Sequence, residues 1–291
     1  MKKLLFQLDT DALPSVFDTV VAYDGGADHV TPIANVNPQN VGGLVEGTIF
    51  TRAPKDKKCT AIFVGGSNLG AGQALFNAIR KKFFGDFRVS VMLDSNGSNT
   101  TAAAAVASLT KTGSVAGKKA VVLAGTGPVG QRAALLLTRE GAQVILTSRA
   151  LIRAVEACRL MKERFGTDIT PALCTLDDPS RRDDSIRKVL EGAQIVLGTG
   201  AAGVALIDEL HWQDHPGIEM LLDANATPPL GVQGIEMMDK AKLRHGKTVF
   251  GAIGFGALKI AVHRNCIARL FERNDQVFDA EEIYALAKSL A

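Results

Sequence analysis

Aromatic residues are scarce in this 291-residue chain, at 5%, with one tryptophan and two tyrosines. The formal charge is only +3, and lysines and arginines alternate with acids rather than forming a dense tract. A nucleic-acid binder built on basic runs with interleaved aromatics is therefore not expected, whereas small anionic ligands remain compatible. Cysteine is equally sparse: Cys59, Cys158, Cys174 and Cys266 lie far apart with no Cys-x-x-Cys spacing, which excludes a disulfide framework and a structural zinc. No apolar run approaches the roughly 20 residues needed to span a bilayer, and Met1 to Asp9 turns polar too early for a signal peptide. A soluble cytoplasmic protein with no membrane partner is expected. Gly-x-Ser-x-Gly is missing, and Gly65-Gly66-Ser67-Asn68-Leu69-Gly70 lacks the Gly-Lys-Ser/Thr ending of a phosphate-binding loop. His211, Asp214 and His215 have no convincing third ligand beside them, so no metal is expected.

With 46% hydrophobic residues the chain has ample material for a large core, and its length suits two domains. Strand-like and helix-like segments alternate throughout. In the N-terminal part, Lys3 to Leu8, Thr60 to Val64 and Arg88 to Leu93 read as strands. Pro14 to Ala22, Ala71 to Phe83 and Thr100 to Thr110 read as helices. Gly113, Ser114 and Gly117 then punctuate the chain. Beyond them, the run 120–124 opens a series of six strands, the last at Thr248 to Phe250, and long helices follow over Gly254 to Leu270 and Asp279 to Leu290. The pattern predicts an α/β protein: a Rossmann-type doubly wound parallel sheet over 113–253, and a second α/β substrate domain formed by 1–112 with the C-terminal helices of 254–291 folding back on it.

The strand Ala120-Val121-Val122-Leu123-Ala124 runs into Gly125-Thr126-Gly127-Pro128-Val129-Gly130 and then a helix. In such a βαβ unit Gly125 permits the tight turn, Gly127 lets the backbone approach a pyrophosphate, and Gly130 allows close packing of helix on strand. The second strand ends in Thr147-Ser148-Arg149, where an NAD-selective site would place Asp or Glu on the ribose diol. Hydroxyls and a guanidinium at that position point to NADP, with Arg149 on the 2′-phosphate and Arg153 one helical turn on. Thr199 and Gly200, in Gly198-Thr199-Gly200-Ala201-Ala202-Gly203, follow another strand and are placed either to approach the same cofactor or to form a compact loop without ligand contact.

Two further features suggest a ligand. Asp94-Ser95-Asn96-Gly97-Ser98-Asn99-Thr100 follows a strand and precedes a helix, and it is denser in polar groups than helix capping alone requires; Asp94, Asn96, Ser98, Asn99 and Thr100 suit recognition of a polar heterocycle. Lys259 is the one charge in the apolar run 253–262, where an ammonium must snorkel, pair or meet a ligand. Asp9 and Asp11 after the first strand, and Asp24 and Asp28 after the first helix, supply further carboxylates for lining a cleft, or are solvated loop residues.

Taken together, Leu4 to Asp11, Tyr23 to His29, Met92 to Thr101, Val121 to Gly130 and Phe278 to Tyr284 resemble the NADP-dependent methylene-tetrahydromethanopterin dehydrogenases of aerobic methylotrophic bacteria, over essentially the whole chain. The resemblance implies a pterin-binding domain around a central nucleotide domain, a homo-oligomer, and hydride transfer from the one-carbon bridge to NADP⁺. Some members also use NAD or the folate analogue. It places Lys259 near the pterin in a segment where Ala257 replaces the second glycine of the family's Gly-x-x-Gly-Gly-Leu-Lys pattern, and makes it the candidate catalytic residue. The alternatives are a methylenetetrahydrofolate- or shikimate-type dehydrogenase and an NADP-sensing protein without chemistry.

Overall fold

The computed structural model describes residues 1–176 and 180–291. Contacts divide the chain into two compact units, one formed by residues 1–100 with 260–290 and the other by 101–259.

The first unit alternates β1 (Leu4–Asp9), α1 (Val16–Asp24), β2 (His29–Ile33), α2 (Gly42–Phe50), β3 (Thr60–Gly65), α3 (Leu69–Lys81) and β4 (Ser90–Leu93), and then enters α4 (Ser98–Thr112). Every residue of β3 and β4 is buried, which is why these strands read as unbroken runs: a parallel strand covered on both faces has no polar side to alternate with. The sheet order is β12-β4-β3-β1-β2, where β12 (Val277–Phe278) comes from near the far end of the chain. Behind it pack Val45 and Ile49 of α2 and Leu75, Phe76 and Ile79 of α3.

Two elements of this unit have weak sequence signals. In β2, Pro32 removes a ladder donor, and the strand accordingly lies at the sheet edge. Helix α2 carries three glycines in nine residues, each of them unfavourable in a helix interior; burial of Val45, Thr48 and Ile49 holds it in place.

The second unit contains β5 (Lys119–Leu123), α5 (Pro128–Arg139), β6 (Gln143–Ser148), α6 (Leu151–Phe165), β7 (Thr170–Leu173), α7 (Arg182–Leu190), β8 (Ile195–Gly198), β9 (Met220–Asp223), β10 (Lys242–Arg244) and β11 (Lys247–Phe250). The strand order is β10-β11-β9-β8-β5-β6-β7, all parallel except for β10, which pairs antiparallel with β11. This is the expected doubly wound sheet with one extra edge strand. Strand order reverses between β5 and β8, and the turns that follow those strands open a crevice there. Trp212, Leu221, Val196 and Ile186 lie in the core on one side of the sheet. Helix α8 (Ala252–Leu270) runs out of this unit into the first, and α9 (Ala280–Leu290) follows β12. At the start of α9, Asp279 N donates to Glu282 Oε2 at 3.1 Å, a return bond that satisfies a free helix-start N–H.

Candidate functional site

The turn between β5 and α5 is built from both sides. Ala124 takes the left-handed conformation at φ +51°, and its N–H donates to Thr147 Oγ1 at 3.1 Å, while Gly125 N donates to Thr147 O at 2.9 Å. The positive φ expected of a glycine thus sits one residue earlier, and Gly125 is required for space. A Cβ there would meet side-chain atoms of Leu146 and Val122 at 2.9 Å. At Gly130 a Cβ would lie 2.5 Å from the Gly125 Cα, so the helix is pressed onto the turn. Gly127 differs: nothing lies within 4 Å of where its Cβ would be, leaving its face open to an approaching ligand. Pro128 occupies the first turn of α5, where its missing N–H costs nothing, and Val129 follows it at the start of the helix. Gln131 Nε2 holds the Thr126 carbonyl at 2.7 Å.

Beside this turn is a cavity of about 260 Å³. Thr126, Ser148, Arg149, Arg153 and Gly200 all line it, so five predicted cofactor residues, from the turns after β5, β6 and β8 and the first turn of α6, meet at one opening. The walls are completed by Cys174, Leu176, Val204 and Leu206, and no carboxylate is among the described lining residues. Arg149 and Arg153 are both exposed. The Ser148 hydroxyl accepts from Ala150 N at 3.3 Å, which ties the β6 end to the start of α6. Thr199 does not line the cavity; its N–H and hydroxyl both donate to the Leu123 carbonyl, at 3.1 and 2.9 Å, locking the ends of β8 and β5 together.

The apolar wall is what reading the sequence missed. Cys174 directly follows β7, so its position after a nucleotide-sheet strand was the available signal. Burial pushes its thiol up to about 11, which keeps it neutral near pH 7 and makes it a wall rather than a nucleophile.

Around the loop after β4, the structure corrects the expectation. Asp94, Ser98, Asn99 and Thr100 are each 0% exposed. Asp94 Oδ1 accepts from Asn99 N and Thr100 N at 2.8 and 3.0 Å, and Oδ2 accepts from the Thr100 hydroxyl at 2.6 Å. Asn99 Nδ2 donates to Leu93 O and Asp279 Oδ1. Polar density here builds the entrance to α4, not an open recognition surface. Asn96 alone of the five is exposed, in the left-handed region at φ +55°. The nearby carboxylates are likewise engaged: Asp9 accepts from Asp11 N and Ser15 N, Asp11 from Ser67, Asp28 from Lys3 N, and Asp24 from Arg264. Lys259 is half-buried on α8, and His263, one turn later, is fully buried, stacked on Phe63 and 3.9 Å from Asp94 Oδ2.

A profile described as methylene-tetrahydromethanopterin dehydrogenase, N-terminal, matches residues 16–96. The NAD(P)-dependent methylenetetrahydromethanopterin dehydrogenase of Methylorubrum extorquens is 31% identical over 287 residues, covering 95% of each chain. This chain belongs to that dehydrogenase family. The bifunctional protein MdtA of the same organism is 56% identical to it, over 100% of this chain and 99% of that protein. Among solved structures, the family member is similar in fold to quinate dehydrogenase from Corynebacterium glutamicum in complex with NAD (TM-score 0.52, 13% identity, 99% of both chains). A shikimate 5-dehydrogenase from Mycobacterium fortuitum is similar to the same degree (TM-score 0.51, 16% identity, 99% of this chain and 98% of that one).

Proposed function

We propose that the protein is a cytoplasmic, homo-oligomeric oxidoreductase that transfers a hydride from the one-carbon bridge of methylene-tetrahydromethanopterin to NADP⁺, giving the methenyl product and NADPH. The observation that carries this reading is the cavity beside the glycine turn, lined by Arg149 and Arg153, in a chain related along its length to an NAD(P)-dependent dehydrogenase of that substrate. The cavity suits the adenosine end of the dinucleotide. Thr126 and the open face of Gly127 suit its pyrophosphate at the start of α5, and the guanidinium of Arg149 suits a 2′-phosphate. NAD is the weaker substrate on this account, lacking the group those cations recognise.

Bound NADP⁺ supplies the acceptor for the hydride. As the C–H bond of the bridge breaks, its electron pair departs and the carbon is left as a cation shared by two nitrogens, so no side chain has to remove a proton. Rate then depends on how well the chain holds the two reactants in line. Lys259 is assigned to the pterin by hydrogen bonding to a ring acceptor, since an ammonium would not stabilise a cationic product. Asn96 is the second proposed contact, with Asp94, Ser98, Asn99 and Thr100 as positioning residues beneath it. The domain roles follow: substrate recognition by residues 1–112 with 254–291, and cofactor recognition by 113–253.

Mixing the protein with methylene-tetrahydromethanopterin and NADP⁺ is expected to produce the NADPH absorbance. No reduction with this pterin would remove the assignment, and reduction with the folate analogue alone would transfer it to the folate reading. Replacing Lys259 with Ala should lower kcat/KM for the pterin roughly tenfold, the worth of one hydrogen bond to a charged donor. KM for NADP should stay unchanged. A Lys259→Ala enzyme with wild-type constants for the pterin would take Lys259 out of the site.

A further inference from the structure

Residues 52–58 and 80–88 hold Arg52, Lys55, Lys57 and Lys58, then Arg80, Lys81, Lys82 and Arg88, against only Asp56 and Asp86. That is a local excess of six positive charges on a chain whose total is +3. In sequence the two segments are separated by β3 and α3, and neither is a dense tract. The fold brings them together at the starts of the neighbouring strands β3 and β4, where Lys57 meets Phe87, whereas Asn96 follows the far end of β4.

Three phenylalanines cluster among these cations. Phe84 and Phe87 flank a two-residue turn, each N–H donating to the other's carbonyl, with Gly85 at φ +50°. Their rings stack at 5.1 Å, and Phe50, at the end of α2, lies 6.3 and 5.6 Å from them. Phe50 is 57% exposed, Phe84 55% and Phe87 40%. Lys57 is buried beneath Phe87 with its Nζ 3.8 Å from the ring centroid, and that Nζ has no hydrogen-bond acceptor among the described residues. Of the cations, Lys82 pairs with Glu46 and Arg52 donates to the Cys59 and Lys2 carbonyls, while Lys55, Lys58 and Lys81 are exposed; an apolar knob, exposed lysines and a buried ammonium lacking an acceptor thus occur together.

We propose that this face docks reversibly on an anionic phospholipid surface. The three rings enter the interfacial region, and the surrounding lysines meet headgroup phosphates. A lipid surface satisfies both halves of the patch at once, since it provides oxyanions and an apolar layer a few ångströms apart. A second copy presenting the same face would set like charges against each other, and nucleic-acid bases would find the facing sides of Phe84 and Phe87 already occupied by one another. The proposal concerns peripheral contact; no helix among the described residues is long and apolar enough to cross a membrane. The expectation of no membrane partner rested on spanning length and on charge read along the chain, neither of which registers a patch assembled from two distant segments.

Sedimentation of the full-length protein with vesicles of equal parts phosphatidylglycerol and phosphatidylcholine, and with phosphatidylcholine alone, tests it. Binding is expected to the anionic vesicles only, and to weaken as salt rises. The Phe50→Ser, Phe84→Ser double variant should lose at least about tenfold in affinity, since each exposed ring forfeits apolar burial. Lys55→Glu, Lys58→Glu, at exposed positions, should lose a similar factor and keeps the test decisive if the phenylalanine variant fails to fold. Both should retain wild-type dehydrogenase activity. Absence of phosphatidylglycerol-dependent binding, or binding unaffected by both variants, overturns the proposal. So does a changed oligomeric state in sedimentation velocity, which would make the face a subunit contact, or variant-sensitive binding of single-stranded RNA without vesicle binding.

Discussion

Replacing Arg149 with Ala is expected to raise KM for NADP roughly 10- to 100-fold, the loss of a charge-assisted contact worth about 1.5–3 kcal/mol. KM for NAD should change by no more than about threefold, because NAD never engages that guanidinium. The gap between the two cofactors should narrow at high ionic strength, since Arg149 and Arg153 are exposed at the mouth of the cavity and screened by salt. Steady-state kinetics with both cofactors checks this directly. Equal increases for NADP and NAD would assign Arg149 to the shape of the β6 end rather than to a phosphate.

Replacing Asp94 with Ala should cost about 3–5 kcal/mol and lower Tm by roughly 10 °C, as two backbone N–H groups and one hydroxyl lose their buried acceptor together. Asp94→Asn keeps an oxygen for the two N–H groups but replaces the acceptor of the Thr100 hydroxyl with a donor. It should fall between wild type and the alanine variant. Thermal unfolding of both separates a structural carboxylate from one that touches substrate: in the latter case Asn would raise KM for the pterin while leaving Tm near wild type.

How far the site could be read in advance depended on whether the signal was local. The glycine turn is legible because Gly125 and Gly130 sit where a Cβ would clash while Gly127 keeps an open face, and the position of Arg149 because a strand tip is a fixed address in a doubly wound sheet. Strands β3, β8 and β9 announced themselves as apolar runs. By contrast β12 is two residues long and is a strand only because β4 offers an edge, so nothing near Val277 could signal it. The Asp94 loop misled for a related reason. Capping residues and ligand-binding residues draw on the same side chains, and only the direction in which they point tells them apart. The clustered phenylalanines were invisible as a patch because Phe50 and Phe84 are neighbours through the fold alone.

The pairing of β12 with β4 also has a consequence for how the protein is made. Val277 and Phe278 close the edge of a sheet begun at Leu4, Ser90 Oγ donates to the Arg273 carbonyl, and Asn99 reaches Asp279. On the ribosome, β4 therefore emerges with one edge bare, and the whole second unit is synthesised before the strand that covers it appears. The continuous seven-stranded sheet can mature as it is translated, whereas the unit that starts first must wait, with an open edge suited to mispairing, until nearly the last.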